Sequence, residues 1–470
     1  MKRFLTRTTL PLFFFIYCIS TAFANVSLPA IFGNHMVLQQ NAEVTIWGWS
    51  KPLEEITVRG SWDEKSVKIK VGNHGNWQVK LHTPGAGGPY TVTVQGYNKV
   101  IIEDVLIGEV WLCSGQSNME WTVNIGIENG EQHATEANHP QIRFFTVLHR
   151  AATTPQLDLD GEWVVCTPET MRNFSAIGYF FGNALQQNLG APIGLINSSW
   201  GGTPAEIWTE PTAIAQDKIL ADAATKLPDA PWGPKEPGSA YLAMIQPLIP
   251  FQIAGALWYQ GEANTANGAT YNQLLTTMVK TWRAAWGYEF PFYYVQIAPF
   301  KYGRAMEGVL VRDAQRQATQ SIPNSGMVVI SDIGNTENIH PKNKIDVGIR
   351  LANWALHYTY GKKDVVASGP MYRNRTIEKN KIRLFFDYAE QGLMTKGKEL
   401  TYFEIAGEDQ QFVPAQARIE GNTVIVQAKT VKNPVAVRFA WSNTAEPNLF
   451  NKAGLPTSCF RTDDWEIVLK

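Results

Sequence analysis

The chain has 470 residues, with 41 Lys and Arg against 42 Asp and Glu and a formal net charge of −1. This balance gives no basis for binding nucleic acid or an anionic membrane through charge. A chain of this length exceeds one ordinary hydrophobic core, so two or three domains are expected.

The first 24 residues have the pattern of a secretory signal peptide. A cationic start and a small-residue end flank a short apolar stretch: Lys2, Arg3 and Arg7, then residues 12–16, then Ala22-Phe23-Ala24. The apolar stretch is shorter than the roughly 20 residues that span a bilayer. We therefore expect cleavage after Ala24 and export to the periplasm or outside the cell, without a membrane anchor. The odd, low cysteine count of the mature chain argues against a disulfide framework: Cys113, Cys166 and Cys459.

Three further regions follow. Residues 25–105 alternate between apolar and polar side chains and are broken by turn residues, which predicts an N-terminal β-sandwich. Residues 106–365 alternate apolar runs with helical stretches, which is typical of an α/β fold with a parallel sheet. Residues 366–470 return to strand patterns and predict a C-terminal all-β region. The strands predicted in the middle region are 107–113, 142–147, 193–197, 253–259, 291–297 and 326–331, and the helices are 175–189, 271–286, 309–320 and 342–358.

The most informative segment is WLCSGQSNMEW at 111–121. An apolar strand stops at a small polar turn that holds Ser117, flanked by Gly115 and by amide side chains. A serine just after a strand can reach an open cleft and act as a nucleophile. A plain glycine turn explains the same pattern, so the prediction depends on the later segments.

The second segment is IGLINSSWGGTPAEIW at 193–208. Thr203, Pro204 and Glu206 predict a capped helix start, and the preceding Gly201 supplies an unhindered backbone N–H beside it. That geometry can stabilise an oxyanion. Ser199 is a rival nucleophile, but it lacks the leading glycine of a nucleophile elbow.

Two later strands also end in polar side chains. The segment ALWYQGEAN at 256–264 brings Gln260, Glu262 and Asn264 to the sheet edge, where an amide can donate to an oxyanion. The segment SDIGNTENIHPKNK at 331–344 carries His340 in a loop with acidic residues nearby. Pro341 biases His340 towards an extended backbone, outside the helix that follows. His340 is therefore the candidate base.

Together these segments resemble the SGNH/GDSL hydrolases, and more closely their sialate O-acetylesterase-like branch. The resemblance runs through most of the chain after residue 24. It is carried by LPAIF (28–32), HMVLQ (35–39), GQSNMEW, SSWGGTPAEIW, WYQGEAN, IHPKNK, RFAWSN (438–443) and NLFNKAGLPTSCFRTDDW (448–465). It implies a flavodoxin-like parallel sheet as the catalytic core at 106–365.

The resemblance also implies a role for each site residue. Ser117 would be the nucleophile and His340 the base, while the oxyanion would be bound by the N–H of Ser117 with Gly201 and Gln260. Glu262 and Asn264 would support these groups. The family places an aspartate three residues before the histidine, and Glu337 stands at that position here. Glu337 is therefore predicted to orient His340, with Asp332 or a backbone carbonyl, and thus a Ser–His dyad, as alternatives.

The implied reaction is two-step acyl transfer that removes acetyl groups from sugars without a metal or cofactor. O-acetyl sialic acid is the first substrate expected, and acetylated xylan or another glycan is the alternative. A non-catalytic carbohydrate-binding protein and a lipase are the competing interpretations. Sialic acid carries a carboxylate, so an arginine near the cleft would favour it; the candidates are Arg143, Arg172 and Arg312.

Overall fold

The computed structural model describes residues 25–467. The predicted signal peptide at 1–24 therefore lies outside the described residues. In the described part of the chain, no helix is both long and apolar enough to cross a membrane.

The N-terminal region is built from short strands whose alternate side chains are buried, as their period-two pattern predicts. Its strands are β1 (Val37–Gln39), β2 (Glu43–Trp49), β3 (Glu55–Gly60), β4 (Val67–Lys70), β5 (Asn76–His82), β6 (Gly87–Gln95) and β7 (Lys99–Gly115). β2 and β5 form an antiparallel pair, while β4, β3, β6 and β7 pair in that order and β1 joins β7.

The long strand β7 links this region to the middle of the chain. Its first half pairs with β6, and its second half is buried at every residue from Val105 to Gly115. The predicted boundaries at 105/106 and 365/366 stay predictions, and the first falls inside this continuous strand.

The middle region contains a large mixed sheet whose strands come from the predicted apolar runs, except for the edge strand at Trp163–Cys166, which was not predicted. The strands are β8 (His139–Thr146), β9 (Trp163–Cys166), β10 (Ile193–Ser199), β11 (Gly255–Tyr259), β12 (Phe292–Val295) and β13 (Ser325–Val328). The order is β13-β12-β11-β7-β10-β8-β9, parallel throughout except for β9. β10, β11 and β12 are buried at every residue, as expected for strands covered on both faces.

Helices alternate with these strands. They are α1 (Ser117–Glu120), α2 (Gly130–Glu136), α3 (Pro168–Arg172), α4 (Ala176–Leu189), α5 (Pro211–Gln216), α6 (Lys218–Ala224), α7 (Tyr271–Trp286), α8 (Glu307–Ser321) and α9 (Ile345–Trp354). Short 3₁₀ turns cover Ala205–Trp208, Gln246–Leu248 and Glu262–Thr270, and π-helical turns cover Tyr241–Ile245 and Ala355–Thr359. α4 packs against α9, and α7 packs against α8. The caps of α4 agree with its sequence, since Ser175 accepts from the N–H of Gly178 and Gly190 ends the helix at φ 64°.

The C-terminal region is all-β, as predicted. Its strands are β14 (Met371–Glu378), β15 (Lys381–Asp387), β16 (Leu393–Thr395), β17 (Phe403–Ala406), β18 (Val413–Pro414), β19 (Gln416–Glu420), β20 (Thr423–Gln427), β21 (Ala436–Phe439), β22 (Leu449–Asn451) and β23 (Phe460–Arg461). They form small antiparallel sheets around a hydrophobic core of their own, separate from the main core. Val309 of α8 is part of this C-terminal core. Cys113, Cys166 and Cys459 are buried and unbridged.

Candidate active site

Three neighbouring strands end at the same level and bring the predicted site segments together. Ser199 at the end of β10 and Tyr259 at the end of β11 both lie opposite Gly115 at the end of β7. Gly115 has φ +138°, and a Cβ there would lie 2.2 Å from the carbonyl oxygen of Tyr259. Only glycine fits this close approach. The side chains that follow these strands therefore meet at the carboxyl edge of the sheet, where ligands of parallel sheets bind.

Ser117 and His340 are in direct contact at this edge. Ser117 is the first residue of α1, and the distance between its Oγ and the Nε2 of His340 is 2.8 Å. For Nε2 to accept the serine proton, the imidazole must carry its own proton on Nδ1. The pair therefore has the geometry of a nucleophile and its base.

An aromatic ring holds the imidazole, and the predicted carboxylates do not. The rings of His340 and Trp121 stack with centroids 4.1 Å apart and an interplanar angle of 23°. Glu337 is exposed, and its carboxylate makes no hydrogen bond to another described residue. Asp332 is bound at 2.7 and 2.8 Å by the guanidinium of Arg350. The loop itself is shaped by Asn338, whose side chain accepts from the N–H of His340 at 2.9 Å.

The surroundings of His340 favour the neutral imidazole. Burial, and after it the nearby cation of Lys344, together lower the pKa of His340 to about 4. A neutral ring is the form that can accept a proton from Ser117.

A buried network beneath the pair fixes the two segments relative to each other. The amide of Asn118 donates to Glu262 Oε1 at 2.7 Å and to the carbonyl of Ile339 at 3.0 Å. Its oxygen accepts from Lys344 Nζ at 2.6 Å. Asn118, which follows Ser117 in the chain, is therefore hydrogen-bonded directly to Ile339, which precedes His340.

The two ionisable members of this network are almost fully buried. Burial raises the pKa of Glu262 and lowers the pKa of Lys344. The ammonium group also lies 5.6 Å from the ring centre of Trp121 and 5.9 Å from that of Tyr259. Lys344, Asn118 and Trp121 were not predicted from the sequence. All three stand inside the GQSNMEW and IHPKNK motifs, so the motifs carried the only available signal.

Gly201 lies beside Ser117, as expected of an oxyanion donor, but its N–H is occupied. It donates to Glu120 Oε2 at 2.7 Å. A Cβ on Gly201 would lie 3.4 Å from the Cβ of Ser117 and 3.1 Å from the same carboxylate oxygen. The N–H of Ser117 stands at the start of a helix and so has no partner within the helix.

Gln260 and Asn264 are buried in a polar cluster behind this position. The amide nitrogen of Gln260 donates to the carbonyl of Thr203 at 3.2 Å and to Asn264 Oδ1 at 2.7 Å, which uses both of its hydrogens. Asn264 also accepts from the N–H of Ala205 at 2.9 Å and donates to Glu206 at 2.8 Å. Asn264 thus connects the segment 193–208 to the segment 256–264. Both hydrogens of the Gln260 amide are used in the same set of hydrogen bonds.

The predicted helix start at Thr203 was wrong. The segment forms only a 3₁₀ turn at Ala205–Trp208 without a side-chain cap. Thr203 Oγ1 donates to the carbonyl of Trp200 at 2.7 Å, and Glu206 is buried against Asn264 instead of closing a capping box. A tertiary contact has replaced the local one. Ser199 is buried, with its Oγ donating to Asn197 at 2.7 Å.

No group of three or more His, Cys, Asp or Glu side chains among residues 25–467 is arranged to hold a metal ion.

Comparison with known proteins identifies the family. The model of the carbohydrate esterase family of sialic acid-specific acetylesterases matches residues 107–357. The sialate O-acetylesterase of Homo sapiens is 29% identical over 456 residues, which cover 87% of this chain and 86% of that protein. The sialate O-acetylesterase of Rattus norvegicus is 28% identical over 482 residues, with 87% and 88% covered. The crystal structure of a carbohydrate acetylesterase from Xanthomonas citri matches with a TM-score of 0.85 and 38% identity, over 94% of this chain and 100% of that one. The chain is therefore an esterase and belongs to the sialic acid-specific acetylesterase family of carbohydrate esterases.

Proposed function

We propose that the protein removes O-acetyl groups from sugars by acyl transfer through Ser117, with His340 as the base. The observation that carries this proposal is the 2.8 Å contact between Ser117 Oγ and His340 Nε2. It lies at the carboxyl edge of a parallel sheet, inside the segment that matches the carbohydrate esterase family.

The reaction proceeds in two steps. His340 Nε2 takes the proton of Ser117 as Oγ bonds to the acetyl carbon, and the tetrahedral intermediate collapses as the sugar oxygen leaves with that proton. Water then attacks the acetyl-serine, again losing a proton to His340, and acetate leaves as Ser117 regains its hydrogen. Stacking on Trp121 supports a dyad in which no carboxylate orients the base.

The oxyanion would be bound by the backbone N–H groups of Ser117 and Gly201, which adjoin the nucleophile. A contribution from Gln260 requires its amide to give up a bond to Thr203 or Asn264. The N–H of Gly201 must likewise give up its bond to Glu120, whereas the N–H of Ser117 has no partner within its helix. We therefore assign the main role to Ser117 and a second role to Gly201 once Glu120 has moved.

The strand order supports a flavodoxin-like core as the scaffold. Without β8, the parallel strands run β10-β7-β11-β12-β13, which in chain order is 2-1-3-4-5. This is the flavodoxin order, in which ligands bind where the order reverses next to the first strand. Ser117 follows that strand.

O-acetyl sialic acid is the first substrate that we propose, because the relatives named above are sialate O-acetylesterases. The candidate arginines do not strengthen this choice. Arg143 binds Asp104, Arg172 binds Glu131, and Arg312 binds the carbonyl groups of Ser442 and Asn443.

A neutral acetylated glycan is the second candidate, and one specific observation favours it. The carboxylate of Glu120 lies beside Ser117 and only accepts hydrogen bonds, so it can bind the hydroxyl groups of a neutral sugar but not the carboxylate of sialic acid. The indole of Trp232 is 62% exposed, and its N–H donates to the carbonyl of Gly202. An exposed flat ring next to Gly201 offers a surface on which a sugar can pack.

The test is acetate release from 9-O-acetyl-N-acetylneuraminic acid and from acetylated xylan. Wild type should release acetate from at least one of them, and Ser117→Ala should fall to background. Ser199→Ala removes a neighbouring hydroxyl at the end of the next strand and should keep its activity. Activity retained by Ser117→Ala would refute the mechanism, and the preferred substrate would decide between the two glycan classes.

Export is a separate proposal that rests on the pattern of residues 1–24. Mass spectrometry of the protein from its producing cell should show a mature chain that begins at Asn25. An intact Met1 in the accumulated protein would contradict it.

A further inference from the structure

The carboxylate of Glu120 occupies the position that an oxyanion would need. Glu120 ends α1, one turn after Ser117. Its Oε2 accepts from the N–H of Gly201 at 2.7 Å, and its Oε1 lies 2.7 Å from Nε2 of His149, with which it forms an ion pair. A backbone N–H that already binds a carboxylate at this distance cannot also bind the carbonyl oxygen of an ester.

The neighbours of Glu120 favour this arrangement. Nε2 of His149 also hydrogen-bonds to the carbonyl of Ser199 at 3.1 Å, and because a carbonyl oxygen only accepts, this nitrogen carries a proton beside the carboxylate. The ring of His149 stacks on Trp200 with centroids 4.6 Å apart and an angle of 4°. The hydrogen bond to Glu120 raises the pKa of His149, which favours the cation that pairs with the carboxylate.

The carboxylate is also within reach of a substrate. The side chain of Glu120 is 30% exposed and that of His149 is 40% exposed. A carboxylate is an acceptor only, so it will leave the N–H of Gly201 most readily when another donor replaces that bond. A sugar brings such donors, because hydroxyl groups neighbour the acetylated oxygen.

We propose that Glu120 determines specificity by closing the oxyanion hole until a hydroxyl group of an acetylated sugar binds its carboxylate and draws it away from Gly201. The released N–H then donates to the acetyl carbonyl. Acetyl esters whose alcohol lacks a hydroxyl donor leave the hole closed and react slowly. This inference rests on the proposed function, since it needs Ser117 as the nucleophile and Gly201 as an oxyanion donor.

The test compares two esters across four proteins. One ester is p-nitrophenyl acetate, which has no hydroxyl group, and the other is the acetylated sugar that wild type deacetylates. The proteins are wild type, Glu120→Ala, Glu120→Gln and Glu43→Ala. Glu43→Ala is the matched control, because Glu43 pairs with His82 at 3.0 Å in the N-terminal region.

Removing the carboxylate should open the hole for any ester. Removing one oxyanion-hole donor typically lowers kcat about 10²- to 10³-fold, and Glu120→Ala should recover part of that contribution. We therefore expect Glu120→Ala to raise kcat/KM for p-nitrophenyl acetate about tenfold. It should lower kcat/KM for the sugar ester, because the group that binds its hydroxyl is gone. Glu120→Gln keeps the length of the side chain without its charge, so its kcat/KM for each ester should lie between the values for wild type and Glu120→Ala. Glu43→Ala should leave the ratio of the two rates unchanged.

Other outcomes separate the two proposals. Equal losses on both esters in Glu120→Ala and Glu120→Gln would overturn the inference and leave the proposed function intact. An unchanged rate on p-nitrophenyl acetate would do the same. If neither wild type nor the Glu120 variants hydrolyse any acetyl ester, the proposed function fails, and the inference fails with it.

Discussion

Replacing Lys344 with methionine tests how the protein keeps His340, the proposed base, neutral. Burial and the charge of Lys344 together lower the pKa of His340 from 6.5 to about 4. His340 accepts a proton only when neutral, so kcat/KM should fall as the pH drops through about 4. At pH 5 a base with this pKa is about 90% neutral, against about 3% for an ordinary histidine, which is a difference of about 30-fold in rate.

Lys344→Met removes the second of the two causes and leaves the first. The pKa of Lys344 is lowered to about 7, so the group is still charged at pH 4 to 5 and repels an imidazolium there. Without it, the acid limb of the pH profile should move upwards but remain below 6.5. Lys342→Met is the control, since it removes an exposed lysine from the same loop.

The assay is kcat/KM for an acetyl ester between pH 3.5 and 8, with circular dichroism at each pH. The dichroism matters because Lys344→Met leaves a buried amide oxygen of Asn118 without its donor, at a cost of about 1–3 kcal/mol. A wild-type limb near pH 6.5 would refute the reasoning about burial. An unmoved limb in Lys344→Met, or an equal shift in Lys342→Met, would refute the role of the charge.

Three further predictions concern side chains around the pair. Trp121→Ala removes the ring stacked on His340 and should lower kcat about tenfold with little change in KM, while Trp121→Phe should recover most of the loss in steady-state kinetics. Asp332→Asn leaves the guanidinium of Arg350 without its carboxylate and should lower the free energy of unfolding by about 2 kcal/mol in denaturant titrations. Glu337→Gln is the control: it should leave the free energy of unfolding unchanged and change kcat/KM by no more than about twofold. Gly115→Ala forces a Cβ against the carbonyl of Tyr259 at φ +138° and should cost about 3 kcal/mol or more, whereas Gly190→Ala at φ +64°, with open space around it, should cost about 1 kcal/mol.

The middle region could be predicted well because its strands carry a strong local pattern. A strand covered on both faces, such as β10, must be apolar along its whole length, and this shows directly in the sequence. Helix α7 begins and ends at the predicted residues, 271 and 286, since its apolar face repeats at helical spacing and Gly287 ends it. Strand order is different, because it depends on which distant segments pair. The path of β7 through two regions likewise leaves no local mark.

The site shows the same division between local and distant information. The position of Ser117 and His340 after predicted strands was enough to place them at one sheet edge, because parallel strands deliver their following residues there. The partners of each polar group could not be predicted. Glu206 had a plausible local partner in a capping box, but Asn264 from another segment binds it instead. The stacking of Trp121 on His340, in place of the predicted carboxylate, could not be predicted either. It depends on how the folded loop of His340 lies against α1, which the sequence of each motif does not indicate.

The position of the acid changes what it can do. In a Ser–His–Asp triad the carboxylate faces the far nitrogen of the imidazole and stabilises the imidazolium as it forms. Here the carboxylate next to Ser117, the proposed nucleophile, is that of Glu120, which faces Gly201 and His149 rather than His340. Burial and Lys344 both oppose the imidazolium. In the proposed mechanism, the charge on His340 is then balanced mainly by the oxyanion that forms in the same step, so proton transfer and carbon–oxygen bond formation depend on each other. An oxyanion hole that opens only for the correct substrate would, on this argument, control both events at once.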